Sequence, residues 1–80
     1  MLTDYIRAAM DRAAYEVLSD GAIYGEIPGF QGVYANAETH EACRQELQEV
    51  LEGWIVLGLR LGHILPVVDD IELAFVQEAV

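Results

Sequence analysis

Residues 38–62 read ETHEACRQELQEVLEGWIVLGLRLG, and this stretch decides the fold. Cys43, Leu47, Val50, Trp54, Leu57 and Leu61 alternate steps of four and three residues, which puts them on one face of a helix and marks that face as the core side. Thr39 suits the N-cap, and Glu41 follows in the first turn, where a carboxylate meets the positive end of the helix dipole. Gly62 can take a left-handed cap conformation, and Pro66 keeps the helix from resuming. At 1.5 Å per residue such a helix is about 33 Å long, enough to cross a small sheet and project beyond it.

The two halves of the predicted helix differ. Glu41, Gln45, Gln48 and Glu52 form the expected solvated face, but the same line continues into Ile55, Val56 and Leu59. A helix end that is apolar all round needs a cover, either the chain's own C-terminal segment or another protein. Trp54, Ile55, Val56 and Leu59 are therefore the candidate oligomer or partner interface on the helix. Gly53 and Gly58 flank this region, each costing about 1 kcal/mol relative to Ala in a helix interior. They are either tolerated defects or points of close backbone approach.

Working back toward the N-terminus, Leu2, Tyr5, Ile6, Ala9 and Met10 recur at helical spacing and predict a short helix over residues 4–12, with Thr3 as its cap. Residues 14–18 and 22–27 are β-prone runs separated by Ser19, Asp20 and Gly21, the signature of a hairpin. Pro28 and Gly29 end the second strand, and a third opens over residues 32–35, with Val33 and Ala35 on one face and Tyr34 on the other. Tyr15, Val17, Ile23 and Ile27 are the expected helix-facing positions. Tyr24 and Glu26 then point to the open sheet face and complete the candidate contact residues. After Pro66, Asp69 and Asp70 read as turn residues, and residues 71–76 alternate as a short edge strand. The expected architecture is α+β: a three- to four-stranded antiparallel sheet, one long covering helix and a short N-terminal helix, in a single domain spanning residues 1–80.

Eighty residues and 8.9 kDa make a core that is marginal by itself, because a chain this short buries only about 60% of its unfolded surface. Four arginines, no lysine and fourteen acidic residues give a formal charge of −10. That balance disfavours direct nucleic-acid binding, which needs a basic surface, and would steer a basic protein partner inward. It also serves plain solubility. Cys43 is the only cysteine, so no disulfide forms within the chain, and its place on the core stripe makes it a small buried hydrophobe. An unpaired cysteine and no signal peptide suggest the cytoplasm. No apolar run approaches the length of a membrane span.

Catalytic chemistry is not visible. His40 and His63 stand at opposite ends of the long helix without metal-ligand spacing. Asp69 and Asp70 are adjacent, so in an extended segment they point apart. The run Tyr24-Gly25-Glu26-Ile27-Pro28-Gly29 is not a phosphate-binding GxGxxG loop. No Ser or Cys has an activating neighbour. Neither catalytic, cofactor-binding nor metal-ligating residues are assigned.

Several short motifs occur in a characteristic order: Thr3-Asp4-Tyr5, Tyr15-Glu16, the Tyr24 to Gly29 run, Gly32-Val33-Tyr34-Ala35, Thr39 with Glu41 and Ala42, Leu47, Val50-Leu51-Glu52 with Trp54, Leu61-Gly62 and Leu65-Pro66. With this set the chain resembles the HicB-like antitoxin family over residues 2–73. The resemblance implies a partial RNase H-like fold without nuclease carboxylates. It also implies binding and neutralising of a small basic HicA-like ribonuclease toxin. The sequence departs from that family in three places. Fuller members carry a C-terminal DNA-binding segment, which this sequence lacks, so direct operator binding is not expected. Ala37 stands where the family often has Gly, leaving Asn36 as the candidate for any left-handed residue there. Gly53 stands where an acidic residue is usual. Two functions follow as expectations: an antitoxin-type interaction protein that also self-associates, or a stand-alone oligomeric structural domain without a toxin partner. Enzyme activity is not expected.

Overall fold

The computed structural model describes residues 2–73. In chain order these form α1 (Leu2–Asp11), β1 (Ala14–Val17), β2 (Ile23–Glu26), β3 (Tyr34–Ala37) and α2 (His40–Leu61). The strands make one antiparallel sheet in the order β1-β2-β3, and the fold is α+β. Ala14 lies opposite Glu26 and Val17 opposite Ile23, while Ile23 in turn lies opposite Ala37 and Glu26 opposite Tyr34.

The two sheet connections are set by local chemistry. Between β1 and β2, the Asp20 carboxylate accepts from the Ala22 N–H at 2.9 Å and Gly21 takes φ +89°, as the Asp-Gly pair leads one to expect. Between β2 and β3 the chain makes two successive tight turns. Phe30 donates its N–H to the Ile27 carbonyl at 3.1 Å, and Val33 donates to the Phe30 carbonyl at 3.2 Å. The third residue of each turn is a glycine with positive φ, Gly29 and then Gly32, and Pro28 presets the first. Their combined effect is to drop Phe30 into the core, where its ring meets Trp54 at 5.2 Å and Tyr5 at 6.2 Å between centroids.

Both ends of α2 fall where the sequence places them. The Thr39 hydroxyl accepts from the Ala42 N–H at 3.1 Å. Gly62 is left-handed at φ 73°, its N–H reaches Leu59 O at 3.2 Å, and His63 donates to Gly58 O at 2.8 Å, the paired bonds of a Schellman motif. The buried face of α2 is not the predicted one. Cys43 and Leu47 are buried as expected, but the line then continues through Leu51, Ile55 and Gly58. Leu57 and Leu61 are 57% and 60% exposed, and Val50 is also exposed. In its second half α2 is apolar on several faces, so periodicity permits more than one orientation. Phe30, Leu65 and Val68 join the core there and select Leu51 and Ile55.

Other expectations are adjusted in smaller ways. Helix α1 begins at Leu2, so Thr3 lies inside it instead of capping it. Its buried residues are Tyr5, Ala8, Ala9 and Met10, which pack toward α2. Val17 is 71% exposed, because α2 lies over β2 and β3 and leaves the far end of β1 uncovered. Asn36 and Ala37 are strand residues, and Asn36 is not left-handed. Beyond α2, Asp69 and Asp70 both take positive φ, 49° and 64°, in a two-residue turn closed by the Val68–Ile71 bridge. The edge strand predicted over residues 71–76 falls largely outside the described residues, and among those described the sheet has three strands.

Candidate functional site

The alternation of β2 sorts its residues cleanly. Ile23, Gly25 and Ile27 face α2, with Gly25 so close beneath it that an added Cβ would lie 2.8 Å from the Tyr15 ring and 3.1 Å from Cys43 Sγ. Tyr24 and Glu26 therefore project from the opposite, open face, as the sequence predicts. The register brings two neighbours to them that sequence reasoning did not single out as contacts. Glu16 lies directly across from Tyr24, and Tyr34 directly across from Glu26. The Tyr24 and Tyr34 rings stack at 6.3 Å with 30° between their planes. Tyr34 is 59% exposed and Tyr24 half-buried. Desolvation, and next the adjacent Glu26, Tyr34 and Glu16, push the Tyr24 phenol above its ordinary pKa. A depression of about 400 Å³ bordered by Tyr24, Glu26, Pro28, Gln31 and Tyr34 adjoins the pair. Two π faces flanked by two carboxylates suit an incoming guanidinium or ammonium group.

A second surface lies beyond the sheet, at the C-terminal end of α2. A groove of about 820 Å³ is lined by Val56, Leu59, Leu61, Ile64, Val67 and Leu73, with Arg60, His63 and Glu72 as its ionisable groups. Val56 is 54% exposed and Ile64 is 98% exposed. Of the helix residues predicted to form an interface, Val56 and Leu59 thus meet in this groove. Ile55 does not: it is buried in the core of its own chain, for the reason that rotates the whole stripe. Trp54 is half-buried with its ring against Phe30, and it is absent from the groove wall. The two glycines also separate. A Cβ on Gly58 would lie 2.8 Å from Leu65 Cδ2, so Gly58 admits a side chain of its own chain, whereas Gly53 faces open space.

Cys43 is fully buried, its thiol donates to the Ala35 carbonyl at 3.5 Å, and desolvation followed by Glu46 pushes its pKa up, the opposite of what a nucleophilic thiol needs. His40 is exposed and packs its ring on Tyr15 at 4.3 Å. Among the described residues, no group of His, Cys, Asp or Glu is arranged to hold a metal ion, and no helix is long and apolar enough to cross a membrane.

Fold and surfaces together define a small α+β domain with a sheet face that sets two tyrosines beside two carboxylates, and a separate apolar groove. The sequence profile of the UPF0150-like family matches residues 4–66, so the chain belongs to that family. Its structure is similar to the crystal structure of TTHA0281 from Thermus thermophilus, at a TM-score of 0.88 and 35% sequence identity over 95% of each chain. No curated protein matches the sequence.

Proposed function

We propose that the chain is a HicB-like, antitoxin-type interaction protein, without enzymatic activity of its own, that binds and neutralises a small basic HicA-like ribonuclease toxin in the cytoplasm. The observation that carries this reading is the open sheet face, where the stacked Tyr24 and Tyr34 each have a carboxylate directly across from them, Glu16 and Glu26. Arginine or lysine side chains of a basic protein fit such a face by charge pairing and by stacking on the rings. The formal charge of −10 steers that partner in and keeps nucleic acid away. Membership of the UPF0150-like family and the ordered motifs shared with HicB-like antitoxins point the same way.

The test is to purify the small Lys/Arg-rich protein encoded beside this one and follow its cleavage of RNA. Added chain should abolish cleavage at stoichiometric amounts. Undiminished cleavage, or the absence of such a neighbour, counts against the reading. A second reading, a stand-alone oligomeric domain without a toxin partner, is favoured by the apolar groove at the end of α2, which owes nothing to charge.

A further inference from the structure

We propose that the groove at the end of α2 is the contact between two copies of this chain. Residues 53–68 contain no Asp or Glu, in a sequence that has fourteen. Among the described residues the groove wall carries one carboxylate, Glu72, and one guanidinium, Arg60, so their formal charges cancel. Elsewhere a chain of charge −10 repels its own copy; here it does not. The same neutrality leaves a basic partner nothing to recognise, which separates this surface from the acidic sheet face.

The surface is also apolar. Of the groove-lining residues, Val56, Leu61, Ile64 and Val67 are each more than half exposed. Scattered singly they would need no explanation, but around one groove they make a patch of the kind that monomers rarely leave open. A two-fold contact requires a patch complementary to itself, and one with a single charge of each sign amid aliphatic side chains meets that requirement. The sheet face lies on other elements and stays free, so the contact does not depend on the partner reading and is measured with no partner present.

Sedimentation equilibrium of the full chain at tens of micromolar should give about twice the 8.9 kDa monomer mass. Raising salt from about 0.1 M to about 1 M shortens the screening length from about 10 Å to about 3 Å and should tighten association, since it removes repulsion without weakening apolar contact. The Val56→Glu/Ile64→Glu variant should run as a folded monomer, and Ile64→Arg alone should weaken association at least about tenfold. A wild-type monomer overturns the proposal, and it is the result expected if residues 74–80 cover the groove. Dimers or larger assemblies that survive both variants, or that loosen with salt, overturn it as well. So does failure of Ile64→Arg to fold, because Ile64 would then belong to the core of its own chain.

Discussion

The Tyr5 hydroxyl donates a 2.6 Å hydrogen bond to the carbonyl oxygen of Pro66, joining α1 to the segment that follows α2. Tyr5 is fully buried, and its ring also meets Phe30. The bond holds residues 65–68 against the core, and two of them, Leu65 and Val67, line the apolar groove. Tyr5→Phe keeps the ring and leaves the Pro66 carbonyl without this donor, at a cost of about 1–3 kcal/mol. Urea denaturation should show the loss as a lower midpoint with an unchanged slope.

Alkaline pH should destabilise the chain. Burial raises the pKa of Tyr5 above the ordinary 10.0 and that of Cys43 above 9.0. A group whose folded pKa is raised contributes stability that is complete below its unfolded pKa and is lost as pH rises through the folded value. Urea midpoints should therefore hold steady near neutrality and fall as pH climbs past the unfolded values of 9.0 and then 10.0. In Tyr5→Phe the fall should be shallower. An equal fall in both proteins would show that Tyr5 ionisation does not drive the loss.

The orientation of α2 is testable by one pair of truncations. Leu51 is fully buried and Leu57 is 57% exposed, although the sequence stripe places Leu57 inward. Leu51→Ala should cost about 2–5 kcal/mol, and Leu57→Ala about 0.5 kcal/mol or less in the monomer. Thermal denaturation at low protein concentration reads both without contributions from self-association.

What the sequence made legible was whatever local chemistry decides. Thr39 and Gly62 bound α2 because capping needs only nearby backbone groups, and Asp20-Gly21 closes the hairpin for the same reason. Strand alternation alone sent Tyr24 and Glu26 to the open face. The neighbours Glu16 and Tyr34 depend on the register across three strands, which turn lengths fix and composition does not. The rotation of α2 was hidden for a different reason. It depends on Phe30, carried inward by two consecutive turns, and on Leu65 and Val68 arriving from beyond the helix. A helix with apolar residues on several faces leaves that choice to tertiary packing, and Ile55 moved from predicted interface to core with it.

Glycines at two positions should respond oppositely to a methyl group. Gly25→Ala would push a Cβ to 2.8 Å from the Tyr15 ring, lifting that ring or α2 away from the sheet. The expected loss is about 1–3 kcal/mol. Gly53 meets nothing within 4 Å and lies inside α2, so Gly53→Ala should add about 1 kcal/mol through helix propensity. Melting temperatures of the two variants should move to either side of the wild type.

The most direct test of the partner reading is a binding titration with the small basic protein encoded beside this chain, comparing wild type with Glu16→Lys/Glu26→Lys. Both substitutions lie on the open sheet face, away from the core and from the groove. The wild type should bind stoichiometrically, more weakly as salt rises, and the charge-reversed variant should lose at least about a hundredfold in affinity, since like charges are then opposed across the interface. Unchanged affinity in that variant, with its fold intact by circular dichroism, would contradict the assignment of the sheet face as the partner site.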